Sequence, residues 1–488
     1  MKPTLIFLFF ISFFSINGQN FTELVPSPFI KVGASAAAIG DVNGDGFDDV
    51  FLIGATFFMG NQFLAELYLN DGNGSFVPSN DTVFLDMAFS EAEFFDFEGD
   101  GDLDLLVTGR LFNNNSSDVE TKLYINDGNG NFEVSLESPF GKLTRGTINF
   151  IDFNNDGLKD LFLAGLLFVD SYSDLKPIST IFFNEGGGNY VEMEDSPFFI
   201  PLNSKSISFS DINGDLIPDV LIAGTNTILY LSNGTNGYIE STNELESAQL
   251  GTADFFDVNN DGFDDILLTG VSAVDDIRKM SLYINDGLGS FNLKEDSGLE
   301  GVWFSAVGFI DLNNDEIKDL LVLGQSVDEY IRSIAYYNDG EGNFTSDFFD
   351  PFKGSFDGTL DIGDFNNDGK EDIIFTGHDQ GFAGSSALCY NNTISSNQEL
   401  KASQINQFSI FPNPSSGSDV IINYEGSESG KVSVKVINMN GVLVHEQKDN
   451  LSGSRKDIFL RSGDLSSGMY LVEFHTESNK EVIKLLVK

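Results

Sequence analysis

The sequence runs to 488 residues with a formal net charge of -49, 13% aromatic residues, 48 Phe, 50 Gly and one cysteine. That length holds a large core and a second domain. The charge excludes nucleic acid and anionic membrane as partners, since both are bound through Lys and Arg, and a lone Cys389 excludes an internal disulfide.

In chain order, Lys2 and the apolar run Leu5 to Phe14 lead to Ser-Ile-Asn-Gly18, the layout of a secretory signal peptide over residues 1–18 and too short for a transmembrane helix. No later run is long enough to span a bilayer, so no membrane span is expected. Seven acidic loops then follow, starting at Asp41, Asp96, Asp152, Asp211, Asp257, Asp311 and Asp364, at intervals of 46 to 59 residues. This is an internal repeat. Positions 1, 5 and 9 of every loop are Asp, position 3 is Asn except for Glu98, and position 6 is Gly in five.

Oxygen side chains at alternate positions around a Gly-permitted turn suit a hard cation with six to eight oxygen ligands, so each loop reads as a calcium site. The competing reading is that Asp, Asn and Gly are merely good turn formers, but turn chemistry alone does not fix three carboxylates at one spacing seven times. An EF-hand carries a chelating acid at position 12; here that position is Leu52, Val107, Leu163, Ile222, Leu268, Val322 and Phe375, all apolar. Position 9 is therefore expected to close the coordination. Leu216 and Glu316 replace the turn Gly, where a positive φ is strained, and those two sites are expected to be weaker.

Each repeat reads as four short strands: one into the acidic loop, one ending in Gly, one ending in Asn, and one after a Gly-rich turn such as Asn70-Asp-Gly-Asn-Gly-Ser75. Such units fit blades of a β-propeller. Asn131-Phe to Pro139-Phe140 shares its frame with Asn20-Phe to Pro28-Phe29, whereas the seventh repeat stops near Asn392 without an outer strand. Residues 20–29 are thus expected to supply it. Residues 393–407 read as a linker, and 408–488 as about seven short alternating strands of a small sandwich. Residues 401–488 hold 10 Lys plus Arg and 10 Asp plus Glu, so the acidic excess lies wholly in the first 400 residues.

The repeated Asp-x-Asn-x-Asp-Gly-x-x-Asp with its following apolar strand resembles the FG-GAP and VCBS-type repeats of integrin α-subunit propellers and secreted bacterial proteins. Phe411-Pro-Asn-Pro414, Asp464-Leu-Ser-Ser-Gly468 and the terminal Lys484-Leu-Leu-Val-Lys488 resemble the C-terminal sorting domain of the type IX secretion system of Bacteroidetes. The resemblances imply an all-β chain, a seven-bladed β-propeller over 19–392 followed by a small Ig-like β-sandwich over 408–488. They imply partnership with the type IX machinery, export across the outer membrane, and a secreted or surface location.

By position, the first family's calcium ligands fall on Asp41, Asn43, Asp45 and Asp49; Asp96, Glu98, Asp100 and Asp104; Asp152, Asn154, Asp156 and Asp160; and Asp211, Asn213, Asp215 and Asp219. They continue on Asp257, Asn259, Asp261 and Asp265; Asp311, Asn313, Asp315 and Asp319; and Asp364, Asn366, Asp368 and Asp372.

No catalytic set stands out. His378 is the one imidazole before the tail, and the regularly placed carboxylates are assigned to calcium. His378 follows the Gly that ends a second strand; Arg110 and Gln325 occupy the same column, which reads either as a ligand-binding face or as solvent-facing turns. Trp303 reads as core rather than as a sugar platform. The function expected is a non-catalytic binding or adhesion module for a glycan or an extracellular protein. The alternatives are a polysaccharide-degrading enzyme and a purely structural surface protein.

Overall fold

A computed structural model describes residues 21–25, 27–56, 62–79, 82–111, 119–135, 138–168, 175–199, 206–234, 237–313, 315–346, 352–391, 408–411, 420–424, 429–438, 443–452, 456–460, 465–466, 468–475 and 480–487. The segments read as signal peptide and linker lie outside them. The chain divides into two compact units, residues 1–394 and 395–488.

The first unit carries seven four-stranded antiparallel sheets, the blades of a β-propeller. Blade 5 is representative, with strands Ala253–Phe256, Asp265–Val271, Arg278–Asn285 and Phe291–Leu293. First strands of neighbouring blades lie side by side, Gly33–Gly40 against Ala88–Phe95 and the latter against Leu143–Ile151, so they surround the axis. Second strands are sandwiched between flanking blades, which is why their sequences are apolar on both faces and all seven position-12 residues are buried.

The abundance of Phe has a packing reason. Adjacent blades meet through rings: Phe95 stacks on Phe150 at 3.8 Å and Phe256 on Phe309 at 4.0 Å. Such pairs contribute about 0.5–1.5 kcal/mol beyond their burial. In six blades the inner strand enters through a left-handed residue seven positions before its loop, seen at Ala34, Phe89, Arg145, Leu250, Phe304 and Asp357. In four blades a register shift accompanies it, the signature of a β-bulge that bends the strand toward the axis.

Blade 7 takes its outer strand from the other end of the chain. Phe21–Glu23 pairs antiparallel with Gly384–Asn391, matching Phe21 to Asn391 and Glu23 to Cys389. The ends are sewn further by Ser386 Oγ donating to the Ile30 carbonyl at 2.6 Å and by Phe29 packing edge-on to Tyr68 at 5.0 Å. Cys389 is buried in this seam.

The second unit holds a three-stranded sheet, with Val420–Tyr424 between Phe408–Phe411 and Lys456–Leu460, and a four-stranded sheet led by Ser429–Asn438 and Gly468–His475. One core, including Ile422, Ile458, Val434, Val472 and Phe474, draws on both.

Candidate metal loops and binding face

Every acidic loop joins the first and second strands of its blade, so all seven open at one end of the ring. The antiparallel order puts the hairpins between second and third strands at the opposite end.

Within a loop the position-1 carboxylate is wrapped by backbone. Asp41 Oδ1 accepts from the amides of Gly44 (2.8 Å) and Asp45 (3.1 Å), and Oδ2 from Gly46 (2.8 Å). Asn43 Oδ1 accepts from Asp45 N at 3.0 Å and Asp45 Oδ1 from Phe47 N at 3.0 Å. The pattern recurs, for example at Asp257, Asn259 and Asp261. Turn chemistry is thus part of what these residues do. Glycine's freedom matters at position 6: Gly46 has φ +89°, and Leu216 and Glu316 are both held at +71°, the strain expected of the two substituted copies.

Position 9 has a role that spacing did not disclose. Asp49, Asp104, Asp160, Asp219, Asp265, Asp319 and Asp372 are essentially inaccessible to solvent. Each ties two chain segments: Asp265 Oδ2 accepts from Val258 N (3.1 Å) and Oδ1 from Asn285 N (2.8 Å), at the end of the third strand. The Asn there extends the clamp, since Asn338 Nδ2 donates to the carbonyl of Val258 in the preceding blade at 2.8 Å. Burial, reinforced by repulsion from positions 1 and 5, pushes the Asp49 and Asp319 carboxyls up to about 7 and those of Asp160, Asp265 and Asp372 up to about 6.

The donor set suits a hard cation. All side-chain donors are oxygens, and each carboxylate oxygen that accepts one amide retains a lone pair. Two position-3 oxygens, Glu98 Oε2 and Asn313 Oδ1, are buried with no hydrogen-bond partner. Among the described residues, however, no three His, Cys, Asp or Glu side chains converge into a ready-made cage.

The column of His378 does not form one open face. His378 is 3% exposed, packed 5.5 Å from Phe356 and against Gly33, where a Cβ would fall 2.3 Å from the imidazole. It is a core residue, because the strand Asp372–His378 runs on into a bridge with Phe356. Gln325 is engaged as well: its Oε1 accepts from Trp303 Nε1 at 2.6 Å and its Nε2 donates to the Glu329 carbonyl at 3.1 Å. Arg110 is half-buried at the end of Asp104–Arg110. Trp303 is half-buried, between the Arg278 guanidinium at 4.8 Å and the Phe304 ring at 4.8 Å.

The inner strands also bring together an acid pair that sequence spacing did not single out. Glu93 and Asp361 share one register level, paired with Leu106 and Ile374, and stand either side of blade 1, which has Ala38 there. Burial, then repulsion from Asp361, raises Glu93 to about 7, while Lys159 pulls it down. Burial raises Asp361 to about 6, and its Oδ2 has no hydrogen-bond partner.

Comparison with known proteins bears on the repeats and the tail. The FG-GAP-like repeat family matches at residues 41–107, 96–163, 152–222, 257–322 and 311–375, and the secretion system C-terminal sorting domain at 409–488. No curated protein matches the chain. Among solved structures, a glycoside hydrolase family 43 arabinoxylan arabinofuranohydrolase from Bacillus subtilis is similar at 10% identity, over 93% of this chain and 94% of that one, with a TM-score of 0.28. A family 32 β-fructofuranosidase from Bombyx mori is similar at 12% identity, over 93% and 87%, with a TM-score of 0.26. At scores this low the likenesses carry no inference about fold or activity.

Proposed function

The chain belongs to the FG-GAP-like repeat family and ends in a type IX secretion sorting domain, and from that premise we propose that it is an exported, calcium-stabilised propeller that binds a glycan or an extracellular protein without transforming it. The sorting domain marks it for delivery to the cell surface or the medium, and among the described residues no helix is long and apolar enough to cross a membrane.

The observation that carries this reading is the division of labour in the ring. One end is committed to seven oxygen-lined loops that clamp each blade to itself and, in blades 1, 2 and 6, through the third-strand Asn to the blade before it. In each loop positions 1, 3, 5 and 9 would hold calcium, with Leu216 and Glu316 weakening two sites. The bound ion supplies charge neutralisation for three clustered carboxylates; it is structural, and no step of chemistry runs through it. The other end is left for a ligand.

A second reading has one observation behind it. Glu93 and Asp361 with Lys159 nearby resemble an acid pair beside a cation, the minimum for attack on a polysaccharide. Assays of the purified full-length protein separate the two readings. Saturable retention of a glycan or protein with no change in its chain length supports binding. Products that vanish in Glu93→Gln make it an enzyme, and neither outcome leaves a structural surface protein.

A further inference from the structure

Three hairpins at the end of the ring opposite the acidic loops close through tight turns, four residues back in blade 5 and three in blades 6 and 7, each with a left-handed residue. In blades 5, 6 and 7 the amides of Asp276, Glu329 and Phe382 donate back to the carbonyls of Ser272, Ser326 and Asp379 at 3.1, 3.1 and 2.8 Å. The same three residues carry φ of +58°, +68° and +59°. The tips are fastened to each other. Arg278 of blade 5 donates to the Ser326 carbonyl and, at 2.9 Å, to Glu329 Oε1 of blade 6, while Gln380 Oε1 of blade 7 accepts from Ile331 N at 2.9 Å.

This face has a composition at odds with its surroundings. On a strongly acidic protein it exposes Val274 (93%), Ile277 (54%), Val327 (56%), Tyr330 (60%) and Phe382 (61%). Both rings are backed rather than loose: Phe382 stands edge-on to Phe356 at 5.5 Å, and the Arg332 guanidinium lies 5.6 Å from the Tyr330 centroid. Phe382 is the sharpest anomaly. A bulky aromatic in the left-handed region is strained where Gly is not, and its ring recovers little by burial. Residues held in sparsely populated backbone regions cluster at ligand clamps, active sites and switch regions.

We infer that the linked hairpins 272–278, 326–332 and 379–383 form a glycan-binding face, with Phe382 and Tyr330 as stacking platforms for the apolar faces of neutral sugar rings. This rests on the proposal that the ring is a binding module and names where and what it binds. Rigid aromatic rings give contact area at small entropic cost. Around them stand Asp275, Asp328, Glu329 and Asp379, acceptors suited to sugar hydroxyls. Each of the four is ion-paired, with Lys279, Arg332, Arg278 and Lys353 respectively, so the face itself is close to neutral and it is the net charge of -49 on the chain as a whole that disfavours an acidic polysaccharide.

Affinity electrophoresis of the full chain in gels containing a soluble β-glucan, a galactomannan or polygalacturonate tests this. The expected result is retardation by at least one neutral polymer and none by polygalacturonate. Phe382→Gly, which suits the backbone and removes the ring, and Tyr330→Ala should each weaken retardation at least tenfold, whereas Val83→Ala, exposed elsewhere on the propeller, should not. Retardation undiminished in both ring variants overturns the assigned face while leaving the binding reading intact. No retardation by either neutral polymer, or retardation by polygalacturonate alone, overturns the choice of ligand. The binding reading itself falls only if extracellular proteins also fail to be retained. A melting temperature for Phe382→Gly at or above that of the unaltered chain shows that lost binding is not lost folding.

Discussion

At the scale of single residues, the ninth position joins metal chemistry to folding chemistry. Asp257 at position 1 is wrapped by amides of its own exposed loop, whereas Asp265 at position 9 is buried and holds the amides of Val258 and Asn285. Asp265→Ala leaves two buried donors unpaired, at about 1–3 kcal/mol each. We expect a loss of about 2–6 kcal/mol by denaturant unfolding in chelator, and a larger one in calcium, where a ligand of the ion is lost as well. Asp257→Ala should cost one site's worth of calcium stabilisation and little in chelator; if both variants lost stability only in calcium, the clamp role of position 9 would be wrong. Leu216→Gly relieves a residue held at +71° and should raise stability by about 1 kcal/mol, the order of the left-handed penalty. Titration calorimetry should also show tighter calcium binding, and a destabilised variant would mean that the Leu216 side chain contributes packing that its exposure does not suggest.

At the scale of strands, two features have measurable consequences. The outer strand of blade 7 is borrowed from residues 21–23, so deletion of residues 19–30 removes a sheet edge together with Phe29, which packs on Tyr68 and Phe76. A melting temperature unchanged by that deletion is incompatible with a closed ring. The second feature is the set of carboxyls on inner strands, with Glu93 raised to about 7 and Asp254 and Asp361 to about 6. A folded-state value above the ordinary one means that the native protein holds protons the unfolded chain releases, so stability falls as pH rises from about 4 through 7. The position-9 carboxyls act in the same sense. In chelator the melting temperature should decline from pH 5 to pH 8, and Glu93→Gln with Asp361→Asn should flatten the decline; an unchanged slope would show that the pair does not titrate in this window.

At the scale of the whole molecule, the architecture was largely legible because repetition multiplies weak signals. Seven loops at one spacing, apolar second strands and a displaced outer-strand motif at Asn20-Phe to Pro28-Phe29 together specify blades, their number and the way they close. The site was less legible for physical reasons that differ by residue. His378 lies in a column that varies between repeats, yet bulge geometry and the bridge to Phe356 bury it. Glu93 and Asp361 are 268 positions apart and come within electrostatic reach only because closure sets blades 7 and 2 on either side of blade 1. Phe382 and Tyr330 lie in turns that carry no motif, and the left-handed backbone of Phe382 and the exposure of both rings exist only in the folded chain. The proposed stability of the ring depends on calcium in the loops. Its most direct test is the melting temperature of the full chain across a calcium titration and in chelator. Binding to the native state alone should raise the melting temperature steadily with calcium, each site adding about 1.4 kcal/mol per tenfold excess over its dissociation constant, and chelator should reverse the rise. Equal melting temperatures with calcium and with chelator would contradict the metal reading and leave the seven loops as turns.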